Sequence, residues 1–218
     1  MDDRKKKYLS VALFVLLCAA MLYILLVIPQ HRNIGLIFRQ KIYIFPFLGL
    51  LAFFAVRVKN QILQSVFYAL LFTAFLLPLS GLWNSGISSQ YIFAGSIPWS
   101  DAFLHHLNTM RFLFGGMMDQ MSAIRPLAMT FNALVLLLTG NNFLGLYALT
   151  TVLVALSVLL NLNTLGKYIG PAASAVFAVI AYFYIRAYIG SYLTEPLSFA
   201  IGMLGCYFLL NGIFDDRK

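Results

Sequence analysis

The chain is expected to be an all-α, polytopic transmembrane helical bundle, and three observations carry that expectation. Mean hydropathy is +0.87. Only 10% of the residues are charged while 61% are hydrophobic and 16% aromatic, which no ordinary soluble domain shows. The apolar runs reach the ~20 residues that a helix needs to cross a bilayer. Period-two alternation is absent, so a helical bundle is favoured over a barrel.

The first apolar run, 8–28, follows the basic stretch Arg4-Lys5-Lys6-Lys7. Its core of about 20 residues exceeds the 7–15 of a signal peptide, and no small-residue cleavage site follows. It reads as a retained signal anchor with a cytoplasmic start, and a bacterial inner membrane is the expected location. Further spans are expected at about 42–57, 62–83, 143–162, 170–187 and 196–213, six in all. The link 29–41, from Gln30-His31-Arg32 to Arg39-Gln40-Lys41, is placed outside although it carries three basic residues. Arg57 and Lys59 return inside, and residues 84–125 form an external loop.

Segment 126–139 decides the remaining topology. Fourteen helical residues reach only about 21 Å against a ~30 Å hydrocarbon core, so a re-entrant or interfacial placement is expected. Lys167 is then cytoplasmic, Glu195 external and the Asp215-Asp216-Arg217-Lys218 tail inside. Within the external loop, 88–96 is polar and should be irregular. Ser100 is read as an N-cap with Asp101 in the first helical turn. Phe103, Leu107, Met110, Phe114, Met117 and Met121 recur at helical spacing, as in a helix lying on the outer surface with its apolar side down. Gly115-Gly116 should end it. Without repeats or linkers the chain counts as one domain, 1–218, with an amino-terminal hairpin (1–60) and a larger module (61–214).

The net charge of +8 does not point to nucleic acid, because Arg4, Lys5, Lys6, Lys7, Arg57, Lys59 and Lys167 fall on expected cytoplasmic flanks and no soluble basic domain exists. Cys18 and Cys206 lie in apolar segments and read as packing residues. No nucleotide-binding glycine loop and no zinc pattern is present. Between Arg4 and Phe214 the only acids are Asp101, Asp119 and Glu195, and a carboxylate near lipid is costly. Each also has a structural reading. Asp101 complements a helix dipole, Asp119 is a solvated loop acid, and Glu195 before Pro196 is an ordinary helix entry. His105 and His106 diverge by ~100° on a helix and are poor joint ligands.

Order and combination favour chemistry. Ser100-Asp101-Ala102 follows a membrane helix, Arg125-Pro126-Leu127 opens the short apolar segment, and Tyr182-Phe183-Tyr184 leads to Leu193-Thr194-Glu195-Pro196-Leu197. Over about residues 62–213 this arrangement resembles the amino-terminal part of the GT-C superfamily of integral-membrane glycosyltransferases. The resemblance implies transfer of a sugar from a polyprenyl-phosphate-type lipid donor to a glycan, lipid or protein acceptor on the external face. It implies Asp101 as the catalytic carboxylate, or as the holder of a divalent cation, and Glu195 as its partner. Arg111, Arg125, His105, His106 and Arg186 are the residues placed to meet substrate. Such enzymes usually carry more helices, so the alternative is a non-catalytic subunit or scaffold of a glycan-assembly complex with a membrane-protein partner, or a piece of a larger enzyme. A transporter is disfavoured, since neither a duplicated pattern nor a mid-helix acid is found.

Overall fold

The computed structural model describes residues 3–27 and 32–215. The outer end of the first expected span, the start of the link at Gln30-His31 and the 216–218 tail lie outside the described residues. The chain forms α1 (Asp3–Val27), α2 (Arg32–Gln40), α3 (Ile44–Arg57), α4 (Gln61–Ser85), β1 (Ile92–Phe93), β2 (Ile97–Pro98) and α5 (Asp101–Leu113). It continues with α6 (Gln120–Ala123), α7 (Pro126–Thr139), α8 (Phe143–Tyr168), α9 (Pro171–Ile185) and α10 (Glu195–Asp215). By length and apolar character α1, α4, α8 and α10 can each cross a membrane, and α2 with α3, bent by 92°, adds a fifth if counted as one broken span. The six expected spans are therefore met in part. Those at 42–57 and 170–187 fold as helices of 14 and 15 residues, each near 20 Å long and short of a ~30 Å core.

Side-chain contacts give the helices their directions. Ser10 Oγ donates to the Gln61 carbonyl at 2.9 Å and Ser80 Oγ to the Leu25 carbonyl at 2.8 Å, so α1 and α4 run side by side in the same sense. Asn161 Nδ2 donates to the Met203 carbonyl at 2.6 Å, and Tyr168 stacks on Phe214 with centroids 4.6 Å apart, so α8 and α10 also run together. The chain returns through α3 and α9, which pair Phe45 with Phe183 at one end. One end of the bundle thus gathers Lys5, Lys6, Lys7, Arg57, Lys59 and Lys167 and is called the basic end below. The other end carries the starts of α8 and α10, the finish of α4, the β1–β2 hairpin and α5 to α7.

The link expected at 29–41 is structured rather than a plain connection. Its helix α2 crosses α4 where Gly35 meets Gly81, and a Cβ on either glycine would overlap the other helix's backbone. Small residues allow this close approach without side chains between the two backbones. Arg39 then satisfies carbonyls left open where α9 ends: Nη1 donates to Ile189 at 2.8 Å and Arg186 at 3.2 Å, and Nη2 to Ala187 at 2.8 Å. Tyr182 Oη donates to the Phe38 carbonyl at 2.9 Å, adding a buried bond to the same corner. A basic residue in an external link looks misplaced by charge alone. Here it is consumed by the backbone carbonyls at the end of α9.

Segment 88–96, expected to be irregular, contains paired backbone. Ile92 and Phe93 pair antiparallel with Pro98 and Ile97, which brings the chain back to start α5. Ser100 occupies the N-cap position, yet at φ 55° and ψ −130° its side chain makes no capping bond. Gly115, at φ 74°, lets the chain turn after α5, and the Gly116 amide closes the turn on the Arg111 carbonyl at 2.7 Å.

Candidate functional site at the end opposite the basic flanks

The buried face of α5 is polar. Ala102, His105, Asn108 and Thr109 point inward, while Phe103, Phe112 and Phe114 are exposed. A helix that turns its aromatic side outward at the end of an apolar bundle has the polarity of an element in contact with lipid. The polar side is packed by α6 and α7. Asn108 Nδ2 donates to Asp119 Oδ2 at 2.7 Å, and the Asp119 amide returns a bond to Asn108 Oδ1 at 3.0 Å. Asp119 Oδ1 accepts from the Ser122 amide at 2.9 Å and so caps α6. Asp119 is therefore a cap clamped to α5 rather than a freely solvated acid. The two backbone and side-chain donors hold its carboxyl below the usual carboxylate range.

This clamp places Ser122 against His105, which is only 1% exposed. His105 Nδ1 lies 3.2 Å from Ser122 Oγ, and His105 Nε2 lies 2.9 Å from Arg125 Nη1. A guanidinium has donors only, so Nε2 must accept. The ring is then neutral, with its proton on Nδ1 facing Ser122. Burial lowers its basicity first, and the Arg125 charge lowers it further. Glu195, Asp101 and Asp119 pull the other way, which shows that all three acids lie within electrostatic reach of one ring. Asp101 is one helical turn before His105 on the same face.

Three helix amino termini, of α5, α7 and α10, consequently meet around His105 and Arg125. The positive ends of these helix dipoles make the corner receptive to anions. Asp101 and Glu195 themselves have no hydrogen bond or ion pair among the described residues, and Glu195 Oε2 is buried without a partner. Beside Arg125 a groove of about 250 Å³ runs between α7 and α10, walled by Pro126, Leu127, Leu197, Ser198 and Ile201. Leu127 and Ile201 are exposed on its rim, so the groove opens sideways from the bundle. On the other side of Asp101 an open cavity of about 600 Å³ is lined by Phe93, Trp99, Phe103 and Leu104.

The other expected site residues stand apart. His106 faces away from His105 into an aromatic box, with ring centroids 4.8 Å from Phe143 and 5.2 Å from Tyr192. Burial lowers its basicity and leaves Nδ1 without a partner. Arg111 is exposed and reaches only Asn108 Oδ1 at 3.4 Å. Arg186 is engaged elsewhere: it donates to the Lys41 carbonyl at 2.8 Å and stacks 4.7 Å over Phe45, pinning the α2–α3 elbow to α9. Asn108, which the sequence shows only as a polar position of α5, and Ser122, which carries no sequence signal, are positioning residues. An Asp ahead of a short helical stretch was the available signal for the cap.

The starts of α7 and α8 both lie against α5, since Arg125 meets His105 and Phe143 meets His106. Helices α7 and α8 thus begin at the same end of the bundle, and Glu195 and Asp101, both within electrostatic reach of His105, share that end. Among the described residues no group of three or more His, Cys, Asp or Glu side chains could hold a metal ion. The unpaired carboxylates of Asp101 and Glu195 are the groups that could meet a divalent cation, and no step is assigned to one. The chain is an all-helical protein with several helices suited to a membrane. No protein-family model, curated protein or solved structure matches it.

Proposed function

We propose that the chain is a membrane glycosyltransferase of GT-C type that takes its sugar from a polyprenyl-phosphate donor. The observation that supports this reading best is the shared corner: unpaired Asp101 and Glu195, cationic Arg125 and three helix amino termini beside a groove that opens sideways. The basic end is assigned to the cytoplasm and the shared corner to the external face of a bacterial inner membrane. The short helices α3 and α9 complete six crossings if the bilayer thins locally or the helices lean on longer neighbours.

In this mechanism the prenyl tail lies along the α7–α10 groove and its phosphate meets Arg125. The acceptor hydroxyl approaches past the Phe93–Trp99 shelf. Asp101 removes the hydroxyl proton as its oxygen bonds the anomeric carbon, because a neutral sugar hydroxyl is a weak nucleophile. The bond from the anomeric carbon to the phosphate oxygen breaks, and its electron pair leaves with polyprenyl phosphate. Arg125 and the helix termini stabilise that departing charge. His105 holds the guanidinium in place and is a positioning residue. Glu195 stands near the reacting carbon as a second carboxylate.

The test is donor capture in proteoliposomes with a photoreactive polyprenyl-phosphate sugar. Labelling is expected on the α7 and α10 rim, at Leu127 or Ile201, and Arg125→Gln should lower it about tenfold or more, as for loss of a charge-assisted contact. Labelling spread evenly over α1 and α10, and unchanged in Arg125→Gln, would sink the donor assignment.

A further inference from the structure

A second cavity, of about 370 Å³, lies at the basic end between α1, α4 and α8. Its floor is apolar, formed by Phe14, Leu156 and Leu160, and Lys7 stands at its mouth. From Lys7 to Phe14 is about two helical turns, or ~10 Å. Between mouth and floor runs a polar rim. Ser65 Oγ donates to the Ser10 carbonyl at 3.0 Å, and Tyr68 Oη donates to Asn163 Oδ1 at 3.3 Å. That second bond uses the acceptor of Asn163 and leaves its amide N–H groups available. Lys7 adds three donors, and no acidic side chain lines the cavity. The other lining donors are committed, Gln64 Nε2 to the Ala55 carbonyl among them, so the free donors are Lys7 and the Asn163 amide, and the site is positive at the top and apolar below.

We infer that this cavity holds an anionic glycerophospholipid, its phosphate at Lys7 and Asn163 and part of one acyl chain against Phe14, Leu156 and Leu160. A free phosphate would leave the apolar floor unused. A choline head group would set its own cation beside Lys7. Basic pockets between membrane helices on the cytoplasmic side recognise anionic head groups in this way. The site is at the far end of the bundle from Asp101, so it does not rest on the sugar-transfer reading.

The experiment is native mass spectrometry of the full chain with equal amounts of phosphatidylglycerol and phosphatidylcholine bearing the same acyl chains. Phosphatidylglycerol should be retained about fivefold more, the equivalent of ~1 kcal/mol for one lysine near a head group. Lys7→Gln should bring the ratio close to one. Lys5→Gln, which removes the same charge beside the cavity rather than in it, should leave the ratio unchanged. Leu160→Trp, filling the floor, should reduce retention of both lipids while circular dichroism shows the same helix content. Equal retention of the two lipids by the unaltered chain would overturn the proposal. So would equal losses in Lys5→Gln and Lys7→Gln, or competition by soluble glycerol phosphate at the same concentration as the lipid.

Discussion

His105 decides much of the residue-scale account, because its neutral form is built into the corner. Protonation would add a hydrogen to Nε2, which must stay an acceptor for Arg125. Its folded-state basicity lies below the ordinary value of 6.5, so the unfolded chain binds the proton more readily. Stability should therefore be fully present above about pH 6.5 and fall as pH drops below it. Thermal unfolding in detergent between pH 5 and 7.5 checks this, and His105→Gln should reduce the slope there, leaving the share that buried His106 contributes with the same sign. An unchanged profile in the variant would remove His105 as the cause. At this scale the sequence showed which residues were chemically costly, Asp101 and Glu195 above all. It did not show that Arg186 is spent on the Lys41 carbonyl and Phe45, nor that Asn108 clamps Asp119. Those roles depend on contacts between residues far apart in the chain, or on opposite sides of a turn, and local pattern carries no trace of them.

Elements were legible where one physical signal dominated. The long apolar helices α1, α4, α8 and α10 follow from hydropathy, whereas length alone does not separate α7 from α3, since both have 14 residues. The helix α2 was missed because its residues Arg32, Asn33, Arg39 and Gln40 read as a polar link. Its helix forms because tertiary contacts pay for it: Gly35 seats it against Gly81, and Arg39 takes three carbonyls. Gly81→Val tests this directly. The added side chain would meet the α2 backbone, which has no flexible end to yield, so a loss of about 1–3 kcal/mol is expected in reversible unfolding. A substitution on the open side of a helix, such as Gly202→Ala, meets no neighbouring atom and should be close to neutral or slightly stabilising. Equal effects at the two positions would contradict the close crossing. The start of α5 near Ser100 and its end before Gly115-Gly116 are legible in the sequence, but its polar face is the packed one. Apolar residues seek lipid as readily as they seek a core, so periodicity alone does not say which face is inside.

For the whole molecule, the account needs two ends of opposite character. The basic flanks occupy one, while Asp101, Arg125 and Glu195 occupy the other. Cysteines placed at Lys59, Gln90 and Ala187, in a chain with Cys18 and Cys206 replaced by serine, report this sidedness in intact vesicles. An impermeant thiol reagent should label positions 90 and 187 from one side and position 59 only from the other. Labelling of 90 and 187 from different sides would separate Asp101 from Glu195 and end the shared-corner reading. The most direct measurement is sugar transfer itself, from a polyprenyl-phosphate donor by the purified chain in proteoliposomes. Asp101→Asn should lower the rate by about 100-fold or more, the range for loss of a catalytic base, with insertion and helix content unchanged. Transfer by Asp101→Asn at the rate of the unaltered chain would contradict the central claim.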